Sequence, residues 1–512
     1  MSKKVFLDAL INREDFDVSN SNSISQGPHK ATLSYNDFEI PGFFFAGLRK
    51  PDFQRETNEW TPEKVKDLVA SFLDGDLIPA IILWKFGDSF TFVIDGGHRI
   101  SALAAWVNND YGDKDISLKY YESIPEHQLE IAKQTRELID KEIGPFSKFK
   151  ECIFNPDANL DDDPIFKLRL KNFGTRAIQL QWVDGDSKKA ETSFFKINQK
   201  STPISNVEIA ILKGRRTPVG LASRAIIRGG EGFKYWRDFS QKIAEDIQKK
   251  AKTINDILFT PTLVTPIKTA DLPLAGKNHS AEALSMVHSL VTLIADGKYQ
   301  EDDIDGKNTL HLLNIILKLV RRINDIHPSS LGLHPLVYIY SSDGRFRVSC
   351  FLAILKFIIE LEKDNRFNEF TKHRSDFEHI IINSEQIITK IVRDSRIAVK
   401  SIEPLSEYFE DVLLKLKKGQ TTKKILSEAM SSFKVVDINK ETTSSSNVSK
   451  NTKGAVFIRD AIQGIPKCSI CNGLMHSHSI QFDHVLRKEE GGLGNFSNIK
   501  MAHPYCNTTY KN

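Results

Sequence analysis

Two short pairs of metal-ligand side chains stand near the C-terminal side of this sequence, Cys468-x-x-Cys471 and His503-x-x-Cys506. Thiolate and imidazole at that spacing reach one ion from a tight turn, and two such pairs about 30 residues apart are the pattern of a tetrahedral zinc site. Between the pairs lie Asp483-His484, Gly491-Gly492, Asn495 and Asn498, and Asn507 follows the second pair directly. Carboxylate and amide oxygens suit a hard divalent cation. An imidazole that titrates near neutrality suits a general base. The pairs alone also fit a purely structural zinc knuckle, but a knuckle has no need of Asp483-His484. His476 and His478 read as exposed loop histidines, although either is spaced to replace His503 as a ligand.

A second constellation is Asp95-Gly96-Gly97-His98-Arg99, which follows the strand-like run FTFVID and precedes the helical pattern ISALAAWVNN. Two glycines let backbone amides approach an anion at a helix N-terminus. Arg99 offers a planar fork for phosphate, and Asp95 can hold a metal or position a water. On physics alone the plainer reading wins: a tight strand-to-helix connection with an Arg–Asp pair.

The elements that must position these residues follow from periodicity. Thr61-Pro62-Glu63 opens a helix whose stripe is Val65, Leu68, Val69 and Phe72, with Gly75 ending it. IPAIILWK and FTFVID read as strands around a Gly-Asp-Ser turn, and Phe43-Phe44-Phe45 reads as strand core. From about Gly220 to Phe433 the period is helical, as in LHLLNIILKLVRRIND, FLAILKFIIELEK and DVLLKLKK. Cys350 sits in an apolar run and reads as core. Residues 438–454 gain Ser, Thr, Asn and Lys and read as a flexible linker of about 17 residues, with a reach of about 20–25 Å. The piece beyond it is small enough to need a staple.

Composition bounds the rest. The 512 residues, 40% apolar and 27% charged, describe a globular chain of several domains. Lys+Arg of 70 against Asp+Glu of 66 excludes a polycation that coats nucleic acid but not a local basic patch. Residues 455–512 carry six Lys/Arg and four Asp/Glu, so their footprint is modest. Five cysteines, three of them in the last 45 residues, make no disulfide framework. With neither a secretory signal nor a membrane-length apolar run, the expectation is a cytoplasmic protein without a membrane partner.

The C-terminal motifs resemble the HNH (ββα-metal) nucleases of the zinc-stapled type. The resemblance implies that Cys468, Cys471, His503 and Cys506 hold a structural zinc and that Asp483 and Asn507 hold catalytic Mg²⁺ or Mn²⁺. It makes His484 the general base and gives Asn498 the task of steadying the loop and the His484 ring. His503 stands where the family usually has Cys, and Asn507 where it often has His. The implied reaction is one-metal hydrolysis of DNA to 5′-phosphate and 3′-hydroxyl ends, with Arg487, Lys488 and Lys500 near the backbone phosphates.

The N-terminal box resembles the Gly-x-His/Arg-Arg box of the ParB/sulfiredoxin-like superfamily. Gly97 stands at the sulfiredoxin cysteine, which excludes peroxiredoxin repair. Four motifs in order resemble the branch found in GmrSD-type restriction enzymes and phosphorothioate-sensing Ssp nicking enzymes, over roughly residues 40 to 215. They are Phe53-Gln54-Arg55…Trp60, Ile78-Pro79-Ala80-Ile81-Ile82-Leu83, the Asp95–Arg99 box, and Phe194-Phe195-Lys196-Ile197-Asn198 followed by Pro203-Ile204-Ser205 and Glu208. Gly97 replaces the Gln usual in that box. The resemblance implies a nucleoside triphosphate, as regulator or substrate, bound by Asp95, Gly96, Gly97, His98 and Arg99 with Gln54 and Arg55.

The expected architecture is multidomain α+β. It comprises a polar segment 1–37, a ParB-like α/β domain 38–219, a helical domain 220–437, the linker 438–454 and an HNH domain 455–512. The expected function is a nucleotide-regulated DNA endonuclease of the modification-dependent or anti-phage type, acting on modified or phage DNA as monomer or homo-oligomer. The rivals are a nucleotide-switched DNA-binding protein with a structural zinc knuckle, and an RNA-cleaving toxin.

Overall fold

The computed structural model describes residues 4–14, 29–40, 42–51, 60–86, 90–121, 124, 126–155, 163–186, 189–190, 192–193, 196–197, 206–230, 236, 239–278, 281–434 and 448–511. The chain forms two compact units, Met1–Asn206 and Val207–Asn512.

In the first unit, alternating apolar runs build a mixed six-stranded sheet. Its strands are β1 (Arg13–Glu14), β2 (Thr32–Leu33), β3 (Leu48–Pro51), β4 (Ile81–Phe86), β5 (Phe90–Asp95) and β6 (Ile178–Trp182). Their order is β1-β3-β5-β4-β6-β2, with β4 and β5 antiparallel and β3 parallel to β5. The helix Pro62–Asp74 starts where expected: the Thr61 hydroxyl accepts from Lys64 N, Pro62 sits in the first turn, and Gly75 closes it. Val65, Val69 and Phe72 are buried on its stripe. The helix Gly97–Asn108 carries small residues at its centre and buries Ile100 through Trp106.

Two expectations about this unit fail. The segment 1–37 is not merely polar: Val5, Leu7, Ala9, Leu10 and Ile11 are all buried, and β1 and β2 join the sheet. The Ser/Asn-rich average over 37 residues diluted a short apolar run. Phe43-Phe44-Phe45 is not strand but the start of the helix Phe43–Gly47, in which Phe43 is 97% exposed and Phe45 is buried. Aromatic residues fit a pleated surface, but tertiary context overrides that preference.

The second unit is built from helices whose apolar stripes share one core. In Lys307–Ile323 the buried positions Leu312, Leu313, Ile316, Leu319, Val320 and Ile323 recur at helical spacing. Val348–Lys363, with buried Cys350, packs beside it and, more closely, against Ile402–Lys417. Among the described residues no helix is long and apolar enough to cross a membrane.

Part of the expected linker 438–454 lies in a helix. Residues 435–447 lie outside the described residues. At Ser449, however, a side-chain cap on Thr452 N opens the helix Lys450–Ala461. Ile458, Ile465, Leu474 and Tyr505 then join the core of the large helices. The C-terminal module is therefore packed on the bundle rather than held off it. It contains a two-stranded antiparallel sheet, β7 (Gln481–His484) and β8 (Ile499–Ala502), with Asp483 opposite Lys500 and His484 opposite Ile499.

Candidate metal centre and active site

The four ligands predicted from spacing converge. One atom each from Cys468, Cys471, His503 and Cys506 lies within 4.8 Å of every other, and all four residues are buried. His503 Nδ1 is 3.3 Å from Cys471 Sγ and 3.9 Å from Cys506 Sγ. Ligand separations of about 3.5–3.8 Å are what a tetrahedral zinc with sulfur and nitrogen ligands requires. The donors are oriented as such a site needs. Ile470 N and His503 N both point at Cys468 Sγ, and His503 Nε2–H donates to Leu474 O at 3.1 Å, which leaves Nδ1 facing the sulfurs. Burial lowers the pKa of His503, favouring the neutral ring that ligates. The Cys468 thiol is pulled down by hydrogen bonds from Cys471 and Cys506, while sharing those protons pushes Cys471 up to about 11. The cluster fits zinc.

The helical bundle supplies one wall of this centre. Arg374 is 1% exposed and donates to Leu331 O, to Gly332 O at 2.9 Å and to Glu378 Oε1 at 2.8 Å. Its Nη1 lies 3.4 Å from His503 Nδ1. Glu378 Oε2 in turn accepts from Leu474 N at 2.7 Å. Burial alone disfavours the Arg374 charge, but Glu378 and the nearby thiols hold its pKa above the ordinary value. Gly332 is left-handed, at φ +61°, and a Cβ there would stand 2.6 Å from the His503 ring, so only glycine fits. His476 is not an exposed loop residue. It is 2% exposed and pairs with Asp271 at 2.9 Å, whereas His478 is exposed. Neither belongs to the metal cluster.

Asp483 and His484 end β7 beside this centre. Asp483 is buried, and both its oxygens accept from Lys511 Nζ, at 2.9 and 2.7 Å; the same ammonium donates to His484 O at 2.7 Å. Asn507, one turn before Lys511, donates to Gln481 Oε1 at 3.0 Å, two residues before Asp483 on β7. The turn Cys506–Tyr510 thus lies along the Gln481–Asp483 side of the strand. The half-exposed His484 ring makes no hydrogen bond or ring contact among the described residues.

Asn498 bonds within the loop between β7 and β8: its Oδ1 accepts from Leu486 N at 2.7 Å, and its Nδ2 donates to Leu486 O and Leu493 O. None of these bonds goes to the His484 ring. The loop thus framed exposes Leu493 and, at 99%, Phe496. Sequence reasoning missed Lys511, Arg374 and Glu378. Lys511 was visible as a cation one turn beyond Asn507, but nothing local marks the other two.

In the first unit, Gly96 takes φ +97° between β5 and the helix Gly97–Asn108. A Cβ there would crowd Ile81 and Arg99. Asp95 Oδ2 and Arg99 Nη2 form an ion pair at 2.7 Å, and Arg99 also reaches Ala80 O at 3.4 Å. The His98 ring stacks on Trp60 with centroids 5.8 Å apart. Asp95, His98 and Arg99 are thus brought to one turn. Phe53, Gln54, Arg55, Phe194, Phe195, Asn198, Pro203, Ile204 and Ser205 lie outside the described residues, as does the Glu208 side chain.

Residues 37–214 match the family described as GmrSD restriction endonuclease, N-terminal domain. That match ties this stretch of the chain to the N-terminal domain of restriction endonucleases. No curated protein and no solved structure matches the chain.

Proposed function

We propose that the protein is a DNA endonuclease of the modification-dependent restriction or anti-phage type, cutting at an HNH site in the C-terminal module under nucleotide control from the ParB-like first unit. The observation that carries this reading is the pairing of a zinc-fit Cys/His cluster with Asp483, whose two oxygens already embrace a cation. A knuckle used only for grip would not need a buried carboxylate in that position.

Asp483 and Asn507 would hold Mg²⁺ or Mn²⁺. When bound, such a cation offsets the charge on the phosphate and the departing oxygen. The uncommitted ring of His484 would take the proton from the attacking water. Asn498, which bonds Leu486 and Leu493, would steady the loop that follows His484. Arg487, Lys488 and Lys500 would meet backbone phosphates. In the first unit, Asp95, Gly96, Gly97, His98 and Arg99, with Gln54 and Arg55, would bind the nucleotide. The Asp95–Arg99 pair would then have to open to give the guanidinium to phosphate.

The test is incubation of the full chain with modified duplex DNA, unmodified duplex DNA and RNA, each with Mg²⁺ and with or without nucleotide. Metal-dependent cutting of DNA that is lost in His484→Ala is the expected result. Cutting of RNA alone would favour a toxin. DNA binding without cutting under all conditions would leave a nucleotide-switched adaptor.

A further inference from the structure

We propose that Lys511 is the resident cation of the divalent-metal seat, so that its ammonium must leave before Mg²⁺ or Mn²⁺ binds and its hold sets the metal affinity. The inference rests on the proposed nuclease reading and deepens it.

The seat is made of three oxygens, both from the Asp483 carboxylate and one from the His484 carbonyl. They lie 2.7–2.9 Å from Lys511 Nζ, so all three ammonium protons have an acceptor. Carboxylate and carbonyl oxygens are also the ligands that a hard divalent ion prefers. Asp483 Oδ1 and Oδ2 cannot serve the ammonium and a metal ion in full at the same time. The Asp483 side chain is 11% exposed and that of Lys511 26%, so bulk water does little to loosen the pair. Lys511 lies one turn beyond Asn507, and its long stem lets the ammonium withdraw without unwinding that turn. Lys500 is the natural control. It faces Asp483 across the β7–β8 ladder, yet it is exposed and bonds none of the three oxygens.

The apparent metal affinity of a seat that is mostly closed falls by the fraction of time it is open. Mn²⁺ affinity of the zinc-loaded full chain, read by electron paramagnetic resonance or calorimetry without DNA, tests this. Lys511→Met keeps the stem and removes the charge. It should tighten Mn²⁺ binding about tenfold, as for a seat about nine-tenths closed. Lys511→Ala should do the same, with zinc content unchanged as the check that the module is folded. Lys500→Met should change the affinity by less than about twofold, because a screened surface charge has only a weak effect. Unchanged or weaker binding in both Lys511 variants overturns the proposal, as does an equal gain in Lys500→Met, which would mean a general charge effect. Asp483→Asn separates the two layers. If it leaves Mn²⁺ binding intact, the seat itself is misassigned and the nuclease reading fails with it.

Discussion

Asp95 and Arg99 stand four residues apart on one strand-to-helix turn, whereas Asp483 meets Lys511 across 28 residues. The first pair needs little beyond the local turn that Gly96 allows. The second exists only when β7 and the Cys506–Tyr510 turn are held side by side, and the element that holds them is the four-ligand cluster. The contrast shows two ways of keeping a carboxylate paired until a ligand arrives: a neighbour in sequence, or a cation delivered by tertiary structure. Disturbing the metal should therefore separate the two sites.

The largest effect is expected from removing zinc. Cys468→Ser, or a strong chelator, should forfeit a folding contribution of about 10–16 kcal/mol at neutral pH, the usual scale for a structural zinc site. Zinc content and DNA cleavage should both be lost, while nucleotide binding in the first unit persists. Loss of both activities together would break the contrast. Next comes His484→Ala, expected to lower cleavage by about 10²–10⁴-fold. Because the ring makes no contact among the described residues, stability in urea should change by about 0.5 kcal/mol or less.

Arg374→Met strips the partner from a buried carboxylate and should cost about 3–5 kcal/mol in urea unfolding. Adding Glu378→Gln should recover part of that loss, since the two residues share one network. In the first unit, Arg99→Met should weaken nucleotide binding about 10–100-fold, the scale of a charged hydrogen bond. It should cost only about 1 kcal/mol of stability or less, because the pair with Asp95 is partly exposed. The smallest effect is a pH dependence. The His476 ring, 2.9 Å away, holds Asp271 down at about 2, against an ordinary 3.8. The unfolded chain binds that proton first, so the contribution is present above about pH 4 and fades as pH falls toward 2. His476→Gln should flatten the acid limb of stability over that interval.

The metal centre was legible because its ligands come as two turns, each with its own spacing, and thiolate chemistry leaves few alternatives. The helices were legible for a similar reason: Thr61, Pro62 and Gly75 mark both ends of one of them, and Leu312 to Ile323 repeat at its period in another. What stayed hidden depends on distance. Arg374 and Glu378 sit on an ordinary amphipathic helix, 129 residues before His503 and 96 before Leu474, and no local rule marks them. His476 looks polar and loop-like until Asp271 arrives from elsewhere. The same holds for Val5 to Ile11, whose burial is decided by the hydrophobic core they join. In the box, a left-handed Gly96 and an Asp–Arg pair were readable, but the Gln54-Arg55 half of the proposed site lies outside the described residues.

The wall that Arg374, Gly332 and Ser330 raise against the cluster bears on how the C-terminal module can be separated from the rest of its unit. Ser330 O receives Tyr505 N at 2.9 Å, Ser330 and Ser479 share a hydroxyl bond, and Tyr505 OH reaches Asn368 at 2.7 Å. A fragment begun at residue 455 would keep every ligand and every acid–base group, yet it would lose the surface against which half of them are braced. Moving this module to another protein therefore calls for carrying its bracing helices too, from about residue 207 onward.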